Sequence, residues 1–228
     1  MERALRECEE QGIVLDVGCG GGLFLQTLAK RGAQRIVGFD FSAEAARLAW
    51  SRAVVPAICG NLSSAPLARG SCAAITMFHV LEHLGNPAGY LHAAHDLLRP
   101  HGRLIVQVPN AGCWQFLVFG ERWNGLDVPR HLTNFRAKDL ENLLDRCGFE
   151  VLRTKHFSWR DNPAGMATSI APNLDPMARR MRHMQESPGG KLLKDLVYFG
   201  LTVLALPFTM LEAACNAGST VMVEARKR

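Results

Sequence analysis

The feature that most constrains this chain is Val14-Leu-Asp-Val-Gly-Cys-Gly-Gly-Gly22, an apolar run followed by four glycines in five positions. A short, partly β-branched apolar run suits a strand buried on both faces of a parallel sheet. Helical spacing follows in 23–30, through Leu23, Phe24, Leu28 and Ala29, with Gly32 as a stop. A glycine turn between strand and helix lets bare backbone approach a ligand. In open α/β sheets, ligands bind beyond the carboxyl ends of the strands.

The alternation continues. Strands are predicted over 13–17, 35–39, 54–59, 73–78, 103–108, 149–155 and 220–225, with helices over 43–51, 87–98 and 137–147. Ser42 has the chemistry of an N-cap, and Gly148 sits where a left-handed C-terminal cap is wanted. This order predicts a doubly wound, Rossmann-like α/β fold with a mostly parallel sheet and helices on both faces. At 228 residues the chain suits one domain, with 160–218 as a helical insertion between strands six and seven. A second long connection, 111–136, carries Trp114, Phe116, Phe119, Trp123 and Phe135.

Composition excludes several classes. The net charge of +5 is mild and gathers at Arg179, Arg180, Arg182, Lys191 and Lys194 and at the last three residues, which argues against a nucleic-acid-binding face. Seven cysteines, at 8, 19, 59, 72, 113, 147 and 215, form no CxxC pair. No disulfide framework and no metal centre is expected, and reduced thiols fit a cytoplasmic protein. Residues 1–11 are charged and helix-like, unlike a signal peptide.

The glycine cluster discriminates between cofactors. A dinucleotide fingerprint needs GxGxxG, but the position for the third glycine is Leu23. Asp16, two residues before Gly18, would repel a pyrophosphate and favour a cationic ligand. Asp40, closing the second strand, can accept hydrogen bonds from ribose hydroxyls, a role common to several nucleoside cofactors.

Taken in order, these segments resemble the class I S-adenosylmethionine (SAM)-dependent methyltransferases. The glycine segment resembles their first motif, and Val37-Gly-Phe-Asp-Phe-Ser42 the next. Cys59-Gly-Asn-Leu62 is similar to the adenine-contacting segment, with Asn61 where many relatives have Asp. Phe78-His-Val-Leu-Glu-His-Leu84 resembles the segment after strand four, and Leu98-Arg-Pro-His-Gly-Arg-Leu104 the turn before strand five. The branch that is most similar contains quinone-biosynthesis enzymes and uncharacterised small-molecule methyltransferases; Asp127-Val-Pro-Arg-His-Leu-Thr-Asn-Phe135 looks like a loop of that branch. The resemblance implies a seven-stranded sheet of order 3-2-1-4-5-7-6 with strand seven antiparallel. It also implies SAM as cofactor. Asp16, Gly18 and Gly20 would line its methionine end, with His79 nearby. Asp40 would hold the ribose, with Phe41 beside the adenine, and Asn61 and Leu62 would contact the adenine by side chain and backbone.

Methyl transfer from SAM is an in-line displacement, so the protein chiefly orients reactants and excludes water. Trp114, Trp123 or Phe135 could face the sulfonium, or simply pack. A hydroxyl acceptor also needs a base, for which His79, Glu82, His83 and His131 are candidates. Arg130 could bind an acceptor anion, or Arg130 and His131 could only brace their loop. The expected activity is methyl transfer to a small molecule, on oxygen, with an apolar or lipid-like acceptor. A nicotinamide oxidoreductase and a non-catalytic SAM-binding module stay open as alternatives. Within the insertion, 196–211 is uncharged yet shorter than a spanning helix, and Pro207 interrupts it, which predicts two short helices. These would form a cap beside the acceptor site that covers an apolar acceptor, be buried against the fold or in a homodimer, or rest peripherally on an anionic membrane.

Overall fold

A computed structural model of the protein describes residues 12–33, 35–182 and 184–228. The helix-like reading of 1–11 lies outside the described residues. Seven strands form one mixed sheet in the order β3-β2-β1-β4-β5-β7-β6: β1 (Ile13–Val17), β2 (Ile36–Asp40), β3 (Ala57–Cys59), β4 (Cys72–Phe78), β5 (Leu98–Pro109), β6 (Phe149–Lys155) and β7 (Thr220–Lys227). The chain divides into two compact units, one of described residues up to Val108 with Lys138–Thr154 and Met222–Arg228, the other of Pro109–Ala137 and Lys155–Val221.

In the first unit β1 lies between β2 and β4, parallel to both, with Val17 opposite Phe39 and Met77. Val14 and Leu15 are both buried although they point to opposite faces, as a strand covered on both sides requires. α1 (Leu23–Lys30) and α2 (Ala43–Ala53) pack on this centre, and Leu25, Ile36, Ala49 and Ile105 share one core with Val14. Ser42 caps α2 as predicted, its hydroxyl accepting from Ala45 N–H at 3.3 Å. α3 (Pro87–Leu97) and α5 (Ala137–Arg146) complete the unit, and Gly148 closes α5 at φ 88°. The strand predicted over 54–59 is shorter. Val54 ends α2 at φ 54°, its N–H on Trp50 carbonyl, and Pro56 has no N–H for a ladder, so pairing begins at Ala57.

The second unit is helical: α4 (Trp114–Phe119), α6 (Asp161–Ile170), α7 (Pro176–Met181) and α8 (Pro188–Ala214). Residues 109–137 therefore join most of the 160–218 stretch. Polar staples hold the unit together. Asn110 accepts from the Gly112 and Ala137 N–H groups and donates to Gly218 carbonyl. The carboxylate of Glu212 takes both the backbone N–H and the side-chain amide of Gln115, each at 2.9 Å. Trp123 packs on Phe116 and Trp114 on Phe208, and Trp123 and Phe135 are buried, so these rings are packing elements of the unit.

The two short helices predicted around Pro207 are in fact one helix of 27 residues. Pro207 removes a single N–H from the ladder, a local cost of about 3 kcal/mol. Packing of Ala205, Thr209 and Glu212 along the inner side, with α6 alongside, offsets that cost and keeps the helix continuous.

Candidate functional site

The turn after β1 uses its glycines for stated geometric reasons. Gly18, Gly20 and Gly22 have φ of 72°, 50° and 77°, where a Cβ is strained. A Cβ at Gly18 would lie 2.5 Å from Val80 Cγ2, and one at Gly22 2.7 Å from Ala49 Cα. At Gly20, by contrast, it would meet nothing within 4 Å. Gly18 and Gly22 are thus required by packing, whereas Gly20 leaves open space over bare backbone, the kind of cradle a cofactor fills.

Asp40 holds this cradle in place. Its Oδ2 accepts from Gly20 N–H and its Oδ1 from Ser42 N–H, both at 2.9 Å. The side chain is buried, and each oxygen keeps a second lone pair for an incoming hydroxyl. Asp16 lies deeper. It is buried, accepts from Thr76 Oγ1 at 2.6 Å, and burial pushes its carboxyl up to about 7, with Asp40's charge adding to the rise. Cys19, within the turn, is pushed up to about 12 by burial and by these two carboxylates, so it stays a neutral thiol. Two buried carboxylates at one glycine turn favour a cation and disfavour a diphosphate.

Phe41 follows Asp40 and is 83% exposed, a ring presented to solvent at the end of β2. Asn61 accepts from Ser63 N–H and Oγ, capping a one-turn 3₁₀ helix (Leu62–Ser64), and Leu62 is buried. The Asn61 side-chain oxygen is therefore occupied by its own turn. His79 begins the loop after β4 at φ 56°. Its Nδ1 lies 3.1 Å from Glu82 Oε1 and its Nε2 3.0 Å from Gln107 Nε2. A proton on Nδ1 satisfies both contacts, with Nε2 accepting from the amide. Glu82 is buried within a 3₁₀ turn (Leu81–His83), and His83 is exposed in the same turn.

In the second unit, Arg130 and His131 are bonded to their own loop. The Arg130 guanidinium donates through Nη2 to Asp127 Oδ1 at 2.9 Å, and both backbone N–H groups donate to Asp127 carbonyl. His131 Nδ1 lies 2.7 Å from Gly125 carbonyl, which fixes the proton on Nδ1. These contacts are those of a braced loop.

Sequence reasoning passed over Thr76 and Gln107, the partners of Asp16 and His79. Their signal was present: each is the lone polar residue between apolar neighbours, in Ile75-Thr-Met77 and Val106-Gln-Val108. The six described cysteines are all free thiols.

A family model described as a methyltransferase domain matches residues 1–154. A protein of Mycolicibacterium smegmatis bearing the name "Probable S-adenosylmethionine-dependent methyltransferase" is 33% identical over 141 residues, 60% of this chain and 52% of that protein. The chain thus spans about half the length of that relative. A ubiquinone biosynthesis O-methyltransferase of Pectobacterium carotovorum is 29% identical over 175 residues, covering 71% of this chain and 72% of that one. Among solved structures, a SAM-dependent methyltransferase from Archaeoglobus fulgidus superposes with a TM-score of 0.63 at 14% identity, over 99% of this chain and 90% of that one. The cyclase SpnF superposes with a TM-score of 0.61 at 22% identity, over 99% and 80%. At these identities the structures show a common fold, and the family is carried by the sequence match. That match sets aside the nicotinamide alternative and brings SAM as the cofactor: the chain belongs to the SAM-dependent methyltransferase family.

Proposed function

We propose that this protein transfers the SAM methyl group to an oxygen nucleophile on a small, apolar acceptor. One observation carries the cofactor side: the buried Asp40 carboxylate is bonded to Gly20 N–H, with open space over that glycine. In the proposal Asp40 binds the ribose and Phe41 lies beside the adenine. Leu62 contributes backbone and Asn61 its amide, while Asp16, Gly18, Gly20 and His79 serve the methionine end. The methionine end carries an ammonium and a sulfonium, which two buried carboxylates favour. The names of the ubiquinone biosynthesis O-methyltransferase relatives support oxygen as the acceptor atom.

When bound, SAM supplies an already activated methyl. An acceptor hydroxyl taking that methyl would have to give up its proton, so the protein would need a base. We assign that role to His131. Its Nδ1 proton is held by Gly125 carbonyl, so Nε2 is the basic nitrogen. Arg130 is assigned to a polar group of the acceptor, in exchange with Asp127.

The test is a screen of phenolic, catecholic and hydroxylated apolar acceptors with SAM carrying a labelled methyl group. Label should appear on oxygen. His131→Ala should lower kcat by about 10²- to 10⁴-fold with SAM affinity unchanged. Label found only on nitrogen or carbon would overturn the acceptor assignment. Absence of turnover with any acceptor, despite SAM binding, would favour a non-catalytic SAM-binding module.

A further inference from the structure

In most surface helices polar groups face water; over most of α8 apolar groups do. Of its four charged residues Lys191 is exposed, Lys194 and Asp195 are half-exposed and paired, and Glu212 is buried. Lys194 pairs with Glu186 at 2.6 Å, Asp195 with the buried Arg179, and Glu212 is buried on Gln115. Its outer side presents Leu192, Leu196, Phe199, Val203, Leu204 and Leu211, all exposed, with Leu204 77% exposed. No charged residue occurs from 196 to 211. From Leu192 to Leu211 this apolar face runs about 29 Å, far larger than the scattered apolar residues of an ordinary surface.

The surroundings of its N-terminal end indicate what covers it. Arg180, Arg182 and Lys191 are exposed there, and no ion pair with an acidic group is found for them among the described residues. Exposed Met177, Met181 and Met184 lie among them in sequence. Arg180, Met184 and Lys191 also line an open cleft of about 790 Å³, whose acidic members Glu186 and Asp195 are already neutralised by Arg179 and Lys194. Exposed, unneutralised cations at the N-terminal end of a helix whose outer face is apolar are complementary to an anionic lipid surface, acyl chains against leucines and phosphates against the cations at that end. A second copy of this face would bring no acidic group to those cations, since the face carries none.

We propose that α8 docks this protein onto anionic lipid bilayers, lying in the interfacial plane. The helix is long and apolar enough to cross a membrane by composition, but its geometry opposes crossing. Its inner side is sheathed along its length: Tyr198 hydroxyl is bonded to Ala164 carbonyl and to Thr168, and Ala205, Thr209 and Glu212 are buried further on. Such a helix can sink only its outer half into lipid. This proposal is independent of the acceptor's identity.

Co-sedimentation of the full chain with phosphatidylcholine vesicles, with and without phosphatidylglycerol, tests it. Binding should require the anionic lipid and weaken at high salt. The triple change Arg180→Gln, Arg182→Gln, Lys191→Gln should weaken it by about a hundredfold. The double change Leu196→Gln, Leu204→Gln should abolish it without lowering Tm, since both side chains are already exposed. In a Phe199→Trp variant the emission should shift to the blue on anionic vesicles. Failure to bind anionic vesicles would overturn the proposal. So would a stable dimer in sedimentation equilibrium that Leu196→Gln, Leu204→Gln dissociates while vesicle binding persists unchanged.

Discussion

The hydroxyl of Thr76 donates to the Asp16 carboxylate at 2.6 Å, joining neighbouring strands β4 and β1 inside the core. Even with this bond, burial holds the Asp16 carboxyl at about 7, against 3.8 for an ordinary one. The folded protein therefore binds a proton that the unfolded chain has already lost between these two values. Stability falls as pH rises through that window and levels off above about 7, the loss being roughly 4 kcal/mol at most. Asp16→Asn keeps an acceptor for Thr76 and removes the titration. Melting curves from pH 5 to 9 should show this variant more stable than the parent at pH 8, by a few kcal/mol, with a flatter pH profile. Equal pH dependence in the two proteins would mean that Asp16 titrates normally.

The same carboxyl links SAM binding to protons. A cationic ligand favours the ionised form, so affinity should rise with pH through about 7 and binding near neutrality should release protons. Calorimetry in buffers of differing ionisation enthalpy measures that release. Asp16→Asn should bind SAM more weakly and release none.

Asp40→Ala removes the acceptor that holds the Gly20 and Ser42 N–H groups. Loss of charge-assisted bonds to a ribose, with loosening of the turn, should weaken SAM binding by about a hundredfold or more. Titration calorimetry decides, and unchanged affinity would place the ribose elsewhere.

Gly22→Ala should be destabilising by about 2–4 kcal/mol, from a left-handed φ and a Cβ driven into Ala49. Gly20→Ala meets open space and should cost only its strain, yet it should lower SAM affinity more than Gly22→Ala lowers it in the remaining folded protein. Denaturation and binding measured on both variants separate the packing glycine from the cradle glycine.

Glu212→Ala leaves the Gln115 backbone N–H and side-chain amide without their acceptor inside the second unit. A loss on the order of 3 kcal/mol is expected, read as a lower Tm. Burial raises the Glu212 carboxyl above its ordinary value, so the folded form holds its proton longer than the unfolded one. This group's contribution therefore declines as pH rises past the ordinary value of 4.5, and the parent and variant should differ least at alkaline pH.

The sequence by itself determined the alternating α/β order, the glycine turn, the cap at Ser42 and the carboxylate at Asp40. Each is a local matter: a strand buried on both faces must be apolar, a sharp turn must use glycine, and a helix start needs an acceptor. Tertiary structure decided the rest. Asp16 could be read as a charge, but only the core around it raises its carboxyl, and only β4 supplies Thr76. Gln107 meets His79 because parallel pairing sets β5 beside β4, a register that no spacing along the chain records. Pro207 read as a break, yet α8 continues through it, because long-range packing along one side of a helix outweighs the loss of one hydrogen bond. Which side of that helix faces inward was likewise illegible: only the pairing of Arg179, Glu186, Lys194 and Asp195 sets Lys194 and Asp195 on the side away from the exposed leucines.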